Sequence, residues 1–504
     1  MAQLRQGLIA LVGTGSAAAA CATVWWLGSL WSTGSDGNAV DMIGPAVLAA
    51  VVALTLSRQI FTDRNEFLRS VAIIPVIGLV SAGIGWLLLW SPPIGAAFYV
   101  VGMSLPIWLR RFGAKASRVG TLMTLPLTAV LIVPVAPRLN GSATHTWVSV
   151  VVLLCANIIA VFWCTLGREI LVAAKLLPTR PTPASSPVPQ RTPQRTSSPK
   201  TPRKLIASTR MAIQMAVAVS AAFIVGWILF PGHGMWVVLT AFIVNAGNRG
   251  RADVLHKSVL RVAGAVGGTL FLVVATNLRS ATGEIVTTGM EAAVVIFTIL
   301  FIGSWLRTYS YAFWALTVTV VLTILQELDG RVTSITATGF LVERVLAIIV
   351  GGIIGVGSAW FVLPVRSIDV IRRRLSDLLT SLTNVITASP HERELMIALF
   401  TDSLHRIDEV APAQRARRVV TFARVRNRTS VLPIDALETA HALGVTLESS
   451  LQHASDNSIW PPPEAREKIL TAIRHARFSL TEPVEAARIQ KGLSGLAAII
   501  GEVR

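Results

Sequence analysis

The chain has 504 residues, of which 53% are hydrophobic and only 14% are charged. A soluble protein has about 25% charged residues, so this chain has too few to cover two or three soluble domains. Lysine and arginine outnumber aspartate and glutamate by 45 to 27, which gives a formal net charge of +18. The composition excludes a disordered chain, a disulfide-rich secreted scaffold and an ordinary cytosolic enzyme. It predicts a membrane protein with many spans and a basic side.

Twelve segments are apolar enough to cross a bilayer as helices, which takes about 20 residues each. Six of them precede a polar stretch in the first half of the chain, and six follow it. The sequence therefore predicts an all-α membrane protein with about twelve transmembrane helices. The predicted spans are 8–31, 39–57, 70–90, 94–109, 119–135, 146–166, 211–230, 235–245, 258–276, 285–305, 309–325 and 338–363.

The polar stretch between the two sets of spans holds eight prolines, seven lysines or arginines and no acidic residue. Such a composition is typical of an extended, disordered linker. Beyond the last span the chain turns polar, with the periodicity of amphipathic helices. The predicted organisation is a first six-helix half at 1–174, a Pro/Arg-rich cytosolic linker at 175–204, a second six-helix half at 205–365 and a cytosolic helical domain at 366–504.

Basic residues concentrate in every second loop between the predicted spans, as they do on the cytoplasmic side of membrane proteins. Only Arg138, Arg279 and Arg331 depart from this pattern. The pattern predicts that both termini and the linker lie in the cytoplasm. The basic loops contain Arg58, Arg64, Arg69, Arg110, Arg111, Lys115, Arg118, Arg249, Arg251, Lys257, Arg261 and Arg307.

The two halves share features that indicate an internal duplication. The sequence Trp-Leu-Arg ends the fourth span at 108–110 and the tenth span at 305–307. An even number of spans gives both halves the same orientation, so the predicted repeat is parallel. The second helix of each half is short or interrupted, which in transporters points to the substrate site. A tilted helix packed inside the bundle explains the same pattern equally well.

The second half carries motifs of a known family. Residues 234–241 read GMWVVLTA, and residues 261–269 read RVAGAVGGT after a basic loop. Between about Arg203 and Leu363 the chain resembles the fusaric acid resistance (FUSC) family, which is related to aromatic acid exporters and, distantly, to plant malate transporters. The other residues that carry the resemblance are Arg210, Tyr309, Tyr311, Thr317, Thr319, Thr323, Arg344, Gly351 and Gly352.

The resemblance implies an efflux protein for organic anions, aromatic carboxylates among them, in the bacterial plasma (inner) membrane. An arginine guanidinium grips a carboxylate in two places, and Trp rings offer flat apolar faces. The same side chains also have ordinary roles, since Arg261 could reach lipid headgroups and Trp236 could sit in an interfacial belt. The predicted substrate-binding residues are Arg210, Trp236, Thr240, Asn245, Arg261 and Arg344.

Two carboxylates are candidates for coupling transport to a proton gradient. Glu291 lies about a third of the way into the tenth predicted span, where burial would raise the pKa of its carboxyl group. Glu343 precedes Arg344 near the start of the last span. Ionisable groups within a membrane span are functional candidates by default. The alternative for both is an acid near the outer surface.

The segment from residue 366 predicts four or five amphipathic helices with 19 basic and 16 acidic residues. The arginines between 415 and 428 suggest either a surface for anionic lipids or a solvated face paired with nearby acids. We expect no nucleic-acid partner, and dimerisation of the whole chain is left open. No phosphate-binding loop, hydrolase motif or metal-ligand cluster occurs, so we expect no cofactor, no metal and no enzymatic activity. The rivals to a proton-coupled exporter are an anion channel and an envelope-assembly scaffold.

Overall fold

The computed structural model describes residues 2–32, 43–57, 64–132, 143–174, 206–247, 249–282, 289–328, 338–364, 367–389, 392–424, 432–453, 461, 463–481 and 485–503. Helix is the only regular secondary structure in these ranges, which confirms the predicted all-α class. The predicted linker at 175–204 lies outside them. The chain divides into a membrane unit, Met1–Ala246 with Lys257–Leu363, and a tail unit, Gly247–His256 with Pro364–Arg504.

A helix occupies each of the twelve predicted spans. Seven of these helices are long and apolar enough to cross a membrane, and the other five are shorter apolar helices (α2, α5, α8, α10 and α11). The chain is therefore a multi-pass membrane protein by length and composition. The helices are α1 Ala2–Ser32, α2 Ile43–Ser57, α3 Arg64–Trp90, α4 Pro92–Leu109, α5 Ala114–Ile132, α6 Ala143–Ala173, α7 Ala207–Leu229, α8 Gly234–Asn245, α9 Arg251–Thr282, α10 Gly289–Leu306, α11 Tyr311–Leu328 and α12 Thr338–Phe361.

The helices at the same positions of the two halves pack in the same way. In the first half α1, α2 and α6 contact one another, and in the second half α7, α8 and α12 do so. Contacts between the halves are also matched, because α4 packs on α7 and α10 packs on α1. Small residues and large aliphatic side chains fill one continuous apolar core across these helices.

Glycines let α9 approach α11 closely, as the GxxxG spacing predicts. A Cβ atom on Gly264 would lie 2.5 Å from the backbone oxygen of Ala312 and 2.5 Å from the Cβ of Ala315. One turn later, a Cβ on Gly268 would lie 3.0 Å from the Cβ of Thr319. The first distance leaves no room for a methyl group, so this packing requires glycine at Gly264, and the contact at Gly268 is tight.

Alanine at Gly264 is expected to destabilise the membrane unit by about 1–3 kcal/mol, because overpacking forces the two helices apart. Gly267 is the matched control, since its Cβ would meet only the Leu316 side chain at an ordinary 3.4 Å. Gly267→Ala should be neutral or stabilise α9 by up to about 1 kcal/mol through helix propensity. Thermal unfolding of both variants in detergent tests this, and equal midpoints would show that the α9–α11 contact is looser than described.

The tail unit contains six helices in its described residues, so the expectation of four or five was wrong. The extra helix arises because a turn at Glu409–Val410 divides one amphipathic stretch into α14 and α15. Leucine and isoleucine side chains from these helices form a core of their own. The helices are α13 Ser367–Thr387, α14 Arg393–Asp408, α15 Ala411–Arg424, α16 Pro433–His453, α17 Pro463–Phe478 and α18 Ala486–Val503.

Ion pairs occupy part of the arginine-rich face of α15. Arg418 donates a hydrogen bond to Glu438 of α16 at 3.0 Å, and Arg415 lies 3.6 Å from the same carboxylate group. At these two positions the structure favours the paired helix face over the lipid-binding surface. Within the same unit, Arg249 pairs with Glu409 at 2.9 Å, so the start of α9 packs on the α14–α15 turn.

Candidate functional site

Two arginines are buried inside the membrane unit. Arg261 on α9 has 1% of its surface exposed, and Arg344 on α12 has 0% exposed. A buried guanidinium is costly unless an acidic group or a full set of hydrogen bonds compensates its charge. Neither arginine forms an ion pair with any residue that the structure describes. The pair therefore places two uncompensated positive charges within the apolar core.

Two neighbouring helices, α11 and α8, hold the guanidinium of Arg344. Its guanidinium donates hydrogen bonds to the backbone oxygen of Thr319 at 2.8 Å and to the hydroxyl of Thr323. Its Cζ atom lies 3.7 Å from the centre of the Trp236 ring, which is within cation–π distance. Within the described residues its Nε–H has no partner. Arg344 is thus a fixed charge with a buried Nε–H group that has no partner among the described residues.

The guanidinium of Arg261 is held much more loosely. Its one hydrogen bond to described residues runs from Nη1 to the backbone oxygen of Ala315, at a long 3.4 Å. The Nε and Nη2 atoms are buried and have no partner there. These two N–H groups lie on the same edge of the planar guanidinium, and together they form the fork that holds a carboxylate in two places. Arg261 is therefore suited to accept an anion.

The two arginines bond to successive turns of α11. Ala315 and Thr319 are four residues apart, so their backbone oxygens lie about 6 Å apart along the helix. The hydroxyl of Thr319 donates to the oxygen of Ala315 at 2.8 Å and fills the space between the two contacts. The positive charges are close enough to repel each other. Arg261 and Arg344 therefore form one site with two neighbouring positive charges.

Helix α8 supplies the aromatic wall of this site and a buried hydroxyl. Trp236 is 5% exposed and lies against Arg344, which brings together two of the predicted residues. Thr240, one turn later, is fully buried, and its hydroxyl has no partner among the described residues. Asn245 donates instead to the backbone oxygens of Ala241 and Gly355, at 3.0 and 3.3 Å. Asn245 therefore links α8 to α12, and its side chain stabilises the packing of these two helices.

Arg210 lies away from the two buried arginines. Its Nε donates to the backbone oxygen of Leu363 at 3.4 Å, and Gln214 donates to the same oxygen at 3.1 Å. These bonds satisfy carbonyl groups at the C-terminal end of α12, where Leu363 has a positive φ of 45°. Arg344 is 19 residues earlier, about 28 Å along a helix. The structure therefore does not bring Arg210 to the site.

The two carboxylates proposed for proton coupling have different surroundings. Glu343 is 62% exposed at its side chain, and its Oε2 lies 2.9 Å from Nδ1 of the buried His233. Burial lowers the pKa of His233, Arg344 lowers it further, and Glu343 partly offsets both. Glu291 lies in the first turn of α10 and is exposed. The exposure of Glu291 favours the second interpretation of this residue, an acid at the surface, over a carboxylate buried within the span.

Sequence reasoning did not assign Thr319 and Thr323 to the site. Both are fully buried, and both bond to Arg344. Their i, i+4 spacing puts them on one face of α11, and this spacing could have indicated from the sequence that both line the same site.

The site lies within a segment that matches a known family. The sequence model described as "Fusaric acid resistance protein-like" matches residues 217–357, which include α8, α10, α11 and both buried arginines. Comparisons with curated proteins and with solved structures find no match to this chain. The resemblance that the sequence motifs indicated is confirmed for this segment. The segment that holds both buried arginines is therefore similar to fusaric acid resistance protein-like proteins.

Proposed function

We propose that this chain is a secondary exporter of organic anions, aromatic carboxylates among them, in the bacterial plasma membrane. The similarity of the matched segment to this family indicates membrane transport or export. The direction of transport, the anion class and the orientation of the chain are parts of the proposal. It excludes an enzymatic role and requires neither a cofactor nor a metal.

A single observation carries this proposal: two fully buried arginines without an acidic partner in the described residues. Ionisable groups within a membrane protein mark the path of ions or substrates. An anion between Arg261 and Arg344 would offset both the desolvation of the two charges and their mutual repulsion. The flat face of Trp236 beside this position suits an aromatic substrate.

Two parallel six-helix repeats would allow the site to face each side of the membrane in turn. The matched helix contacts of the two halves support such a duplication. As described, α2 and α8 are the shortest of the twelve helices, with 15 and 12 residues, and they occupy the same position in each half. Both buried arginines are closed off from solvent, so an anion enters only when the helices around them move.

Transport by the purified protein in lipid vesicles tests the proposal. Vesicles loaded with labelled benzoate should lose it faster with the protein than without, and faster still under a pH gradient. Saturation and counterflow, in which unlabelled benzoate on the far side accelerates exchange, would identify a carrier. Unitary currents in a planar bilayer would instead support the rival anion channel. The absence of both benzoate flux and current would contradict a transport function and would leave the scaffold role as the alternative.

Proton coupling is proposed for Glu343 because it contacts His233 and directly precedes Arg344 in α12. Glu343→Gln is expected to lose the acceleration by a pH gradient and to keep benzoate counterflow without a gradient. Glu291→Gln is the matched variant, since it removes an exposed carboxylate from the first turn of α10. Loss of the gradient effect in this variant alone would transfer the role to Glu291, and an intact effect in both would contradict coupling by either residue.

Anionic lipids and a second copy of the chain are the two remaining candidate partners. Anionic lipids at the basic cytosolic face remain a proposal for the loops of the membrane unit, where about 1 kcal/mol per basic residue is typical. Dimerisation is left as an outcome of measurement, and the mass of the detergent-purified protein by light scattering decides it.

A further inference from the structure

The unused hydrogen-bond donors of the two arginines differ in a way that bears on the charge of the substrate. Arg261 has a complete side-on fork, Nε–H and Nη2–H, without partners in the described residues. A single carboxylate bound to this fork uses both of its oxygens. It also neutralises one positive charge.

Arg344 keeps its own charge after that first carboxylate has bound. Its hydrogen bonds to Thr319 and Thr323 are to neutral groups, and the Trp236 ring covers one face. None of these contacts supplies a negative charge. Two bonds to α11 fix Arg344 about one helical turn from the contact of Arg261 with the same helix. Its buried Nε–H has no partner among the described residues and can donate to a second negative group.

We propose that the site takes a dianion, with one carboxylate in the fork of Arg261 and a second negative group at Arg344. The inference rests on the proposed function and specifies the substrate of the same site. A monoanion would leave one buried guanidinium without a counter-charge, which is the costly arrangement. A dianion with groups about one helical turn apart neutralises both. The substrate class is therefore a rigid dicarboxylate, and an aromatic spacer would lie against Trp236.

The rival arrangement is one carboxylate shared by both arginines, and it predicts no advantage for a second charge. Benzene-1,3-dicarboxylate and its monomethyl ester separate the two, since they have the same skeleton and differ by one negative charge. Competition of each compound with labelled benzoate, in vesicles containing the full-length protein, gives two half-inhibitory concentrations. We expect the dianion to compete at least tenfold better than the ester.

Arg344→Gln is expected to abolish this preference, so that the dianion and the ester compete equally in the benzoate transport that the variant retains. Arg307→Gln is the matched control, because Arg307 also lies over a Trp ring, that of Trp314 at 5.6 Å, but is exposed. It should keep the preference. Should Arg344→Gln fail to fold, the comparison of the two compounds on the unmodified protein still decides the question.

Each outcome has a distinct meaning. Equal competition by the dianion and the ester overturns the dianion inference and leaves anion transport standing. A preference for the dianion that persists in a folded Arg344→Gln variant also overturns the dianion inference, because another residue then binds the second negative group. Absence of benzoate transport in the unmodified protein contradicts the proposed function itself.

Discussion

Arg261→Met is expected to abolish carboxylate transport and, at the same time, to make the protein more stable. The variant removes the fork of two N–H groups that would hold the anion, and charged hydrogen bonds of this kind are worth about 1.5–3 kcal/mol each. Transport should therefore fall by at least about 100-fold. Stability should rise by about 1–4 kcal/mol, because a methionine of similar volume removes a buried charge that has no acidic partner in the described residues.

Vesicle flux and thermal unfolding of the same preparation measure both effects. Arg307→Met is the control, since it removes an arginine that is exposed at the end of α10 and should change neither property much. A large loss of stability in Arg261→Met would mean that Arg261 has a structural partner and acts in packing. Unchanged transport would remove Arg261 from the site.

Trp236→Leu is expected to lower transport by about 30-fold, because it removes the ring that lies 3.7 Å from the Arg344 guanidinium. A desolvated cation–π contact is worth about 2 kcal/mol, which corresponds to that factor. Trp236→Phe should recover part of the loss, since phenylalanine keeps an aromatic face. This graded order, Trp above Phe above Leu, distinguishes a contact with the ring from simple volume.

Flux measured at saturating and at low benzoate for the two variants tests the order. Trp227→Leu on α7 is the control, because that ring is 42% exposed on the surface of the unit. Equal flux for the Phe and Leu variants would show that Trp236 contributes only size, and an equal loss in the Trp227 variant would indicate a general effect of tryptophan in the membrane.

Hydropathy predicted the helices well because each apolar segment here is a separate helix bounded by polar or Pro/Gly residues. Composition alone placed the ends of α1 to α12 within seven residues of where they lie. The family motifs and the cost of charge in a membrane made Arg261 and Arg344 candidates for the site, but the sequence left open whether they are buried. These inferences depend only on the residues near each position, so a single sequence is enough to make them.

Features that depend on contacts between distant segments could not be predicted in this way. Thr319 and Thr323 contact Arg344 only because α11 and α12 pack side by side, more than 20 residues apart in sequence. Arg210 was assigned to substrate, but it bonds to the end of α12 because that helix stops before Leu363. Glu291 is exposed in the first turn of α10, although its position in the predicted span suggested that it is buried.

The most direct test of the central claim, that Arg261 and Arg344 bind an anion, is stabilisation by ligand. A ligand at 100 times its dissociation constant stabilises a protein by about 2.7 kcal/mol. Benzene-1,3-dicarboxylate should therefore raise the unfolding temperature of the unmodified protein. The same compound should not change the unfolding temperature of the Arg261→Met/Arg344→Met variant, which we expect to be stable without ligand. An equal rise in both proteins would show that the anion binds elsewhere and would contradict the site.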